Sequence, residues 1–250
     1  FAVNMRRFDE AARLDHLCER GALTPEHMTG LARRMASFQA RAAVVEANRP
    51  TGPSWGHPTA AMRWPRDNFD ALLKALDDPA DAARVRGLSE WTEQRYNAIE
   101  PLLSRRRQKG RVREGHGDLH LRNLVLIEDE VLPFDAVEFN DELRWIDVAN
   151  DMAFAWMDLL SHTRPGLANV LLSAWIDASG DVSSHTVWSF FASYRAGVRA
   201  KVAAIRLGQQ GGAGSSTEAD ASLAEARRYL ALARDIAHPP TSRLIITHGL

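Results

Sequence analysis

Three short β-prone runs, at 112–114, 123–127 and 131–134, interrupt a chain that is otherwise patterned for helix. Each is too short to make a sheet that stands alone. The chain must therefore be α+β, a mostly helical body around one small β insertion. Glu128-Asp129-Glu130 is a polar turn between the last two runs and makes them a hairpin. The polar residues best suited to chemistry gather at this insertion. His116-Gly117-Asp118-Leu119-His120-Leu121-Arg122-Asn123 precedes the hairpin, and Phe134-Asp135 follows it.

The helical body is legible from caps and periodicity. Thr24 reads as an N-cap with Pro25 at the first helical position, followed by Leu31, Met35, Phe38, Ala42 and Val45 at helical spacing. A short helix over 11–20 closes at Gly21 and carries Cys18 on its apolar face. The Pro- and Gly-rich stretch 49–66, with Trp55, His57 and Trp64, reads as a long loop. Helices follow over 68–76, 81–86 and 89–107, the last with Trp91, Tyr96, Ile99 and Leu103 inward. After Glu142 the chain turns helical again, and Trp145, Val148, Ala149, Met152, Ala153, Trp156, Leu159 and Leu160 form a wide apolar stripe. Three more helices are expected at 165–178, 186–207 and 217–237, with Ser215 and Glu218 as a capping box for the last. The Gly-rich stretch 208–216 follows a helix and lacks a Gly-Lys-Ser/Thr ending, so it reads as a flexible loop and not as a phosphate cradle.

Composition excludes several partners. With 250 residues and a formal net charge of -1, the chain has no general electrostatic grip on nucleic acid or acidic membrane. Arg105-Arg106-Arg107 reads as a helix C-terminus whose cations complement the dipole. No apolar run approaches the roughly 20 residues of a spanning helix. The single cysteine permits no internal disulfide and points to a reducing, cytoplasmic setting.

The insertion has the parts for metal-assisted phosphoryl transfer, which needs a carboxylate to orient the attacking hydroxyl and oxygen ligands to hold Mg²⁺. Asp118 and Asn123 have the spacing D-x-x-x-x-N of a kinase catalytic loop. The hairpin returns Asp135 beside Asn123, so that an amide oxygen and a carboxylate can share one ion. His116 and His120 flank the base and read as loop-shaping residues, with a His-x-Asp-x-His metal site as the rival. Glu138, Asp141, Glu142 and Asp151 read either as an acidic wall for a cationic substrate or as a solvated rim.

His116-Gly117-Asp118-Leu119-His120 with Asn123 and Asp135 resembles the aminoglycoside phosphotransferase and choline kinase group, which has a protein-kinase-like fold. More narrowly, Ala2-Val3-Asn4-Met5-Arg6-Arg7-Phe8, Phe134-Asp135-Ala136-Val137-Glu138-Phe139-Asn140 and Arg144-Trp145-Ile146-Asp147-Val148-Ala149 resemble a bacterial subgroup fused to a C-terminal P-loop kinase-like domain. The resemblance implies an ATP- and Mg²⁺-dependent kinase acting on a small-molecule hydroxyl. It makes Asp118 the base, Asn123 and Asp135 the Mg²⁺ ligands, and Asp147 the carboxylate that braces the catalytic loop. It divides the chain into an N-lobe remnant at 1–8, a kinase-like C-lobe at 9–237, and at 238–250 a linker with the first strand of a P-loop domain. Most of the N-lobe would lie upstream, and Asn4 stands where its strand lysine is expected. Two further readings stay open: a degraded kinase-like module that binds a ligand and regulates the fused P-loop domain, and a metallohydrolase using His116, Asp118 and His120.

Overall fold

The computed structural model describes residues 8–45, 55–210 and 216–239. In chain order these form helices α1 (Leu14–Glu19), α2 (Pro25–Arg41), α3 (Pro58–Ala75) and α4 (Pro79–Gln108), then strands β1 (Val112–Glu114), β2 (Leu124–Ile127) and β3 (Glu130–Pro133). Helix α5 (Asp141–Arg144) and strand β4 (Trp145–Asp147) come next, before α6 (Val148–Ser161), α7 (Pro165–Ser179), α8 (Ser184–Gln210) and α9 (Ser216–Ala237). The architecture is mostly helical α+β. Among the described residues the strands make two small antiparallel pairs, β1 with β4 and β2 with β3.

Helix starts follow local chemistry. The Thr24 hydroxyl accepts the His27 N–H, and the His27 ring accepts the Thr24 N–H. Helices α2, α3, α4 and α7 each have proline in their first turn, where its missing N–H costs nothing. At the core, α6 is buried on nearly every face through Val148, Ala149, Met152, Ala153, Phe154, Ala155, Met157 and Leu159. It packs against α7, α8 and α9, while α8 also carries α3. Gln39 ties α2 into this centre: its amide donates to the Val148 carbonyl and accepts the Trp175 indole N–H at 2.9 Å.

The strands suspend the polar loop. Val112 of β1 lies opposite Asp147 of β4, and Leu124 of β2 opposite Pro133 of β3. The β2–β3 turn has Glu128 at φ 51° and Asp129 at φ 63°, the paired left-handed geometry that matches strand twist. Residues 115–123 therefore run from β1 to β2, and the segment after β3 returns alongside them, with the Phe134 N–H bonded to the Asn123 carbonyl.

Several expected boundaries move. Helix α3 begins at Pro58, inside the stretch read as a loop, because His57 caps it and Pro58 occupies its first position. The helices expected at 81–86 and 89–107 are one, α4. Gly87 costs about 1 kcal/mol relative to Ala in a helix, but buried Val85 and Leu88 on either side hold the helix through it. Trp145 lies on β4 and not on a helix. Phe38 is 41% exposed and not inward. Cys18 is buried. The strand expected at 1–5, the one expected at 244–249, and Ser215 of the expected capping box lie outside the described residues. No described helix is long and apolar enough to cross a membrane.

Candidate active site

The loop that carries Asp118 is held from beneath by two carboxylates of α6. Asp151 is fully buried, and its two oxygens accept the N–H groups of His116 at 2.9 Å and Gly117 at 3.0 Å. Asp158, seven residues on and so on the same helix face, accepts the Leu121 N–H at 2.9 Å. The loop is thus pinned at both ends. The bracing expected of Asp147 belongs to Asp151. Asp147 is the N-cap of α6, where its carboxylate accepts the Ala149 N–H and bonds Arg106 twice at 2.7 Å. An N-cap side chain folds back on the first turn; a full turn later the side chain projects to the loop.

Gly117 is required by this arrangement. Its φ is +85°, and a Cβ there would lie 2.7 Å from the Leu143 carbonyl oxygen. On its other side Arg195, from α8, donates Nη1 to the Gly117 carbonyl at 3.0 Å and Nε to the Asn150 side-chain oxygen at 2.8 Å.

Asp118 presents a partly exposed carboxylate. It accepts the Asn123 amide at 3.0 Å and lies 3.3 Å from His120 Nε2. Burial pushes its pKa up, but the hydrogen bond and charge of His120, then the charge of Arg195, outweigh this and hold it below the usual carboxylate value. His116 donates Nε2–H to the Phe134 carbonyl at 2.8 Å and accepts the Asp118 N–H at Nδ1, which ties the loop to the segment after β3. The geometry gives both histidines loop-shaping contacts. With both His116 ring nitrogens engaged, His116, Asp118 and His120 cannot serve together as three metal ligands. Among the described residues no group of three His, Cys, Asp or Glu is arranged to hold a metal ion.

Asn123 and Asp135 line one cleft, together with His120, Arg13, Arg122 and Arg199. The Asn123 amide nitrogen is engaged by the Asp118 main-chain and side-chain oxygens, which leaves its Oδ1 as an acceptor. An amide oxygen and an exposed carboxylate are the hard donors that suit Mg²⁺, so the donor set fits the ion. Asp135 sits at φ 59°, a left-handed conformation uncommon for a residue other than glycine. Asp135→Gly should therefore raise stability by about 0.5–1 kcal/mol while removing the carboxylate that faces the cleft. Denaturant midpoints with parallel Mg²⁺-dependent nucleotide binding check both halves.

The expected acidic wall does not assemble. Asp151 is buried beneath the loop, Asp141 bonds Arg144 at 2.6 Å, and Glu142 pairs with Arg63, leaving Glu138 exposed. Sequence reasoning also missed the burial of Arg106, read with its neighbours as cations complementing a helix dipole but 1% exposed, and it missed Arg195. It missed Asp158 too, although its place seven residues after Asp151 on an apolar helix was a usable signal.

No protein-family model matches the chain. The chain is 30% identical over 247 residues to the uncharacterized protein Rv2004c of Mycobacterium tuberculosis and, equally, to the uncharacterized protein Mb2027c of Mycobacterium bovis. Those matches cover 99% of this chain and 47% of each relative, so the chain spans about half the length of the curated relatives it matches. Among solved structures, an ethanolamine kinase of Plasmodium vivax aligns over 83% of this chain and 60% of its own, with a TM-score of 0.47 and 10% identity.

Proposed function

We propose that the chain carries the base and metal-holding half of a small-molecule kinase that transfers the γ-phosphate of ATP to a substrate hydroxyl. The observation that carries this reading is the Asp118 carboxylate, held by Asn123 and His120 on a loop pinned at both ends, beside the cleft lined by Asn123 and Asp135. Asp118 orients the attacking hydroxyl and accepts its proton. Asn123 Oδ1 and the Asp135 carboxylate would hold Mg²⁺, which supplies charge neutralisation on the phosphates. Arg13, Arg122 and Arg199 line the same cleft with Glu10, and Arg13 is held there by two hydrogen bonds to Asp15.

The Asp118 pKa sets the pH dependence. A depressed carboxyl is ionised above its own pKa and loses charge only as pH falls through it. The acid limb of the transfer rate should therefore lie below the ordinary carboxylate range, as a pH–rate profile would show.

Phosphate transfer from Mg-ATP, measured in the full-length protein over a panel of hydroxyl compounds, tests the reading. Asp118→Asn should lower the rate by about 10²–10⁴-fold without shifting the melting temperature by more than a degree or two. Undiminished transfer in that variant would sink it. Asn4, where the resemblance expects lysine, favours a second reading as a ligand-binding regulatory module of a fused P-loop domain. Transfer that survives Asp118→Asn and stops when a downstream P-loop is disabled would support that one.

A further inference from the structure

The peptide group that joins Gly117 to Asp118 is gripped at both ends. Its carbonyl oxygen, on Gly117, accepts Nη1 of Arg195 at 3.0 Å, and its N–H, on Asp118, donates to His116 Nδ1 at 3.3 Å. A peptide that follows glycine has no Cβ behind it to restrain its swing. Unheld, this one could turn over and carry the Asp118 carboxylate away from Asn123 and His120, now 3.0 and 3.3 Å from it. Asp151 does not block that turn, because it holds the N–H of Gly117, on the far side of the glycine α-carbon. The groups that block it are the His116 ring, within the loop itself, and Arg195 of α8, 78 residues away in the chain.

Arg195 is fixed in place by its surroundings. It is 3% exposed, and its guanidinium lies 4.8 Å from the ring centroid of Phe154 and 5.3 Å from that of Tyr194. Asn150 aims it: Nε donates to the Asn150 side-chain oxygen at 2.8 Å and to its main-chain oxygen at 3.3 Å. Every hydrogen bond that Arg195 makes goes to a neutral oxygen, and among the described residues no carboxylate forms an ion pair with it. A buried guanidinium without a carboxylate is costly, and an apolar side chain of similar volume would fill the same aromatic slot without that cost. What an apolar side chain could not do is hold the Gly117 carbonyl.

We infer that Arg195 is a positioning residue for Asp118: from α8 it locks the Gly117–Asp118 peptide against turning over, and so fixes where the carboxylate points. Asn150 belongs to the same device, since it sets the direction of the guanidinium without touching the loop. The inference rests on the kinase reading only in treating Asp118 as the base; the lock itself is independent of it.

Two variants of the full-length protein test it. Arg195→Met keeps an apolar stem over Phe154 and removes the donors; Asn150→Ala keeps Arg195 and removes its aim. Hydrogen–deuterium exchange over residues 115–123, compared with α7, reads the lock without any substrate, and steady-state phosphate transfer from Mg-ATP reads its consequence. In Arg195→Met, exchange over 115–123 should quicken at least about tenfold while α7 keeps its wild-type rate. The kcat should fall about 10²-fold, with KM for Mg-ATP within about twofold of wild type. Asn150→Ala should move both readouts the same way by a smaller factor, and it decides the matter alone if Arg195→Met does not fold. An arginine that only fills space would quicken exchange in all segments alike and leave kcat unchanged; either result overturns the inference, as does faster exchange over 115–123 without a fall in kcat. A wild-type protein that transfers no phosphate defeats the kinase reading instead, and the exchange comparison then decides the lock by itself.

Discussion

Asp151→Ala should cost about 3–5 kcal/mol of folding stability and abolish the function of the loop in the same stroke. A hydrogen bond to a charged group contributes about 1.5–3 kcal/mol, and this carboxylate makes two, to His116 and Gly117, at full burial. Without it two buried N–H groups lose their acceptor, and Asp118, the next residue along, loses its fixed position. Asp151→Asn keeps one acceptor and should fall between the two. A denaturant series reads the stability, and, under the proposed function, phosphate transfer from Mg-ATP reads the loop. A loss under about 1 kcal/mol would mean that Asp158 and Arg195 hold the loop without Asp151.

Arg106→Met should be at least as severe, again about 3–5 kcal/mol, because it leaves charges without a partner where none can be solvated. Arg106 is buried at the end of α4 and is gripped from two sides, by Asp147 at 2.7 Å and by Asp181 at 2.7 and 2.8 Å. Burial pulls its pKa down, but Asp147 and then Asp181 carry it well above the ordinary value. For Asp181, burial raises the pKa, but the hydrogen bond and charge of Arg106, with the Ser183 hydroxyl and the charge of Arg111, together more than reverse it. A depressed carboxyl contributes stability that is present above its unfolded pKa and is lost as pH falls through the folded one. The native protein should therefore lose this contribution only below the ordinary carboxylate range. In Arg106→Met the deficit should be largest near neutrality and shrink on acidification, as the orphaned carboxyls take up protons. Adding Asp147→Asn and Asp181→Asn should recover much of the loss. A deficit that is flat with pH would show that packing, not charge pairing, is what Arg106 supplies.

Local chemistry explains how much of the fold was legible. The Thr24 cap, the Gly21 stop at φ +69° and the apolar stripe of α6 are set by neighbours in the chain. The spacing of Asp118, Asn123 and Asp135 around a hairpin leads to one loop and one cleft, because a turn of two left-handed residues can only return the chain alongside itself. The misreadings share another cause. The loop read at 49–66 and the gap read between 86 and 89 contain Pro65 and Gly87, yet α3 and α4 run through them because their buried faces outweigh a local cost of about a kilocalorie for the glycine.

The sequence by itself determined a helical body, one β insertion, and the gathering there of Asp118, Asn123 and Asp135. It could not choose between Asp147 and Asp151 as the brace, since both stand near the start of one helix and only the rotation of α6 beneath the loop decides which carboxylate faces the N–H groups. Nor could it tell Arg106 from its two arginine neighbours, because burial follows from α4 ending against Asp147 and Asp181, contacts 41 and 75 residues away in the chain. Residue types and short spacings are written locally; which polar group is buried, and against what, is a property of packing between distant elements, and only the tertiary structure holds it.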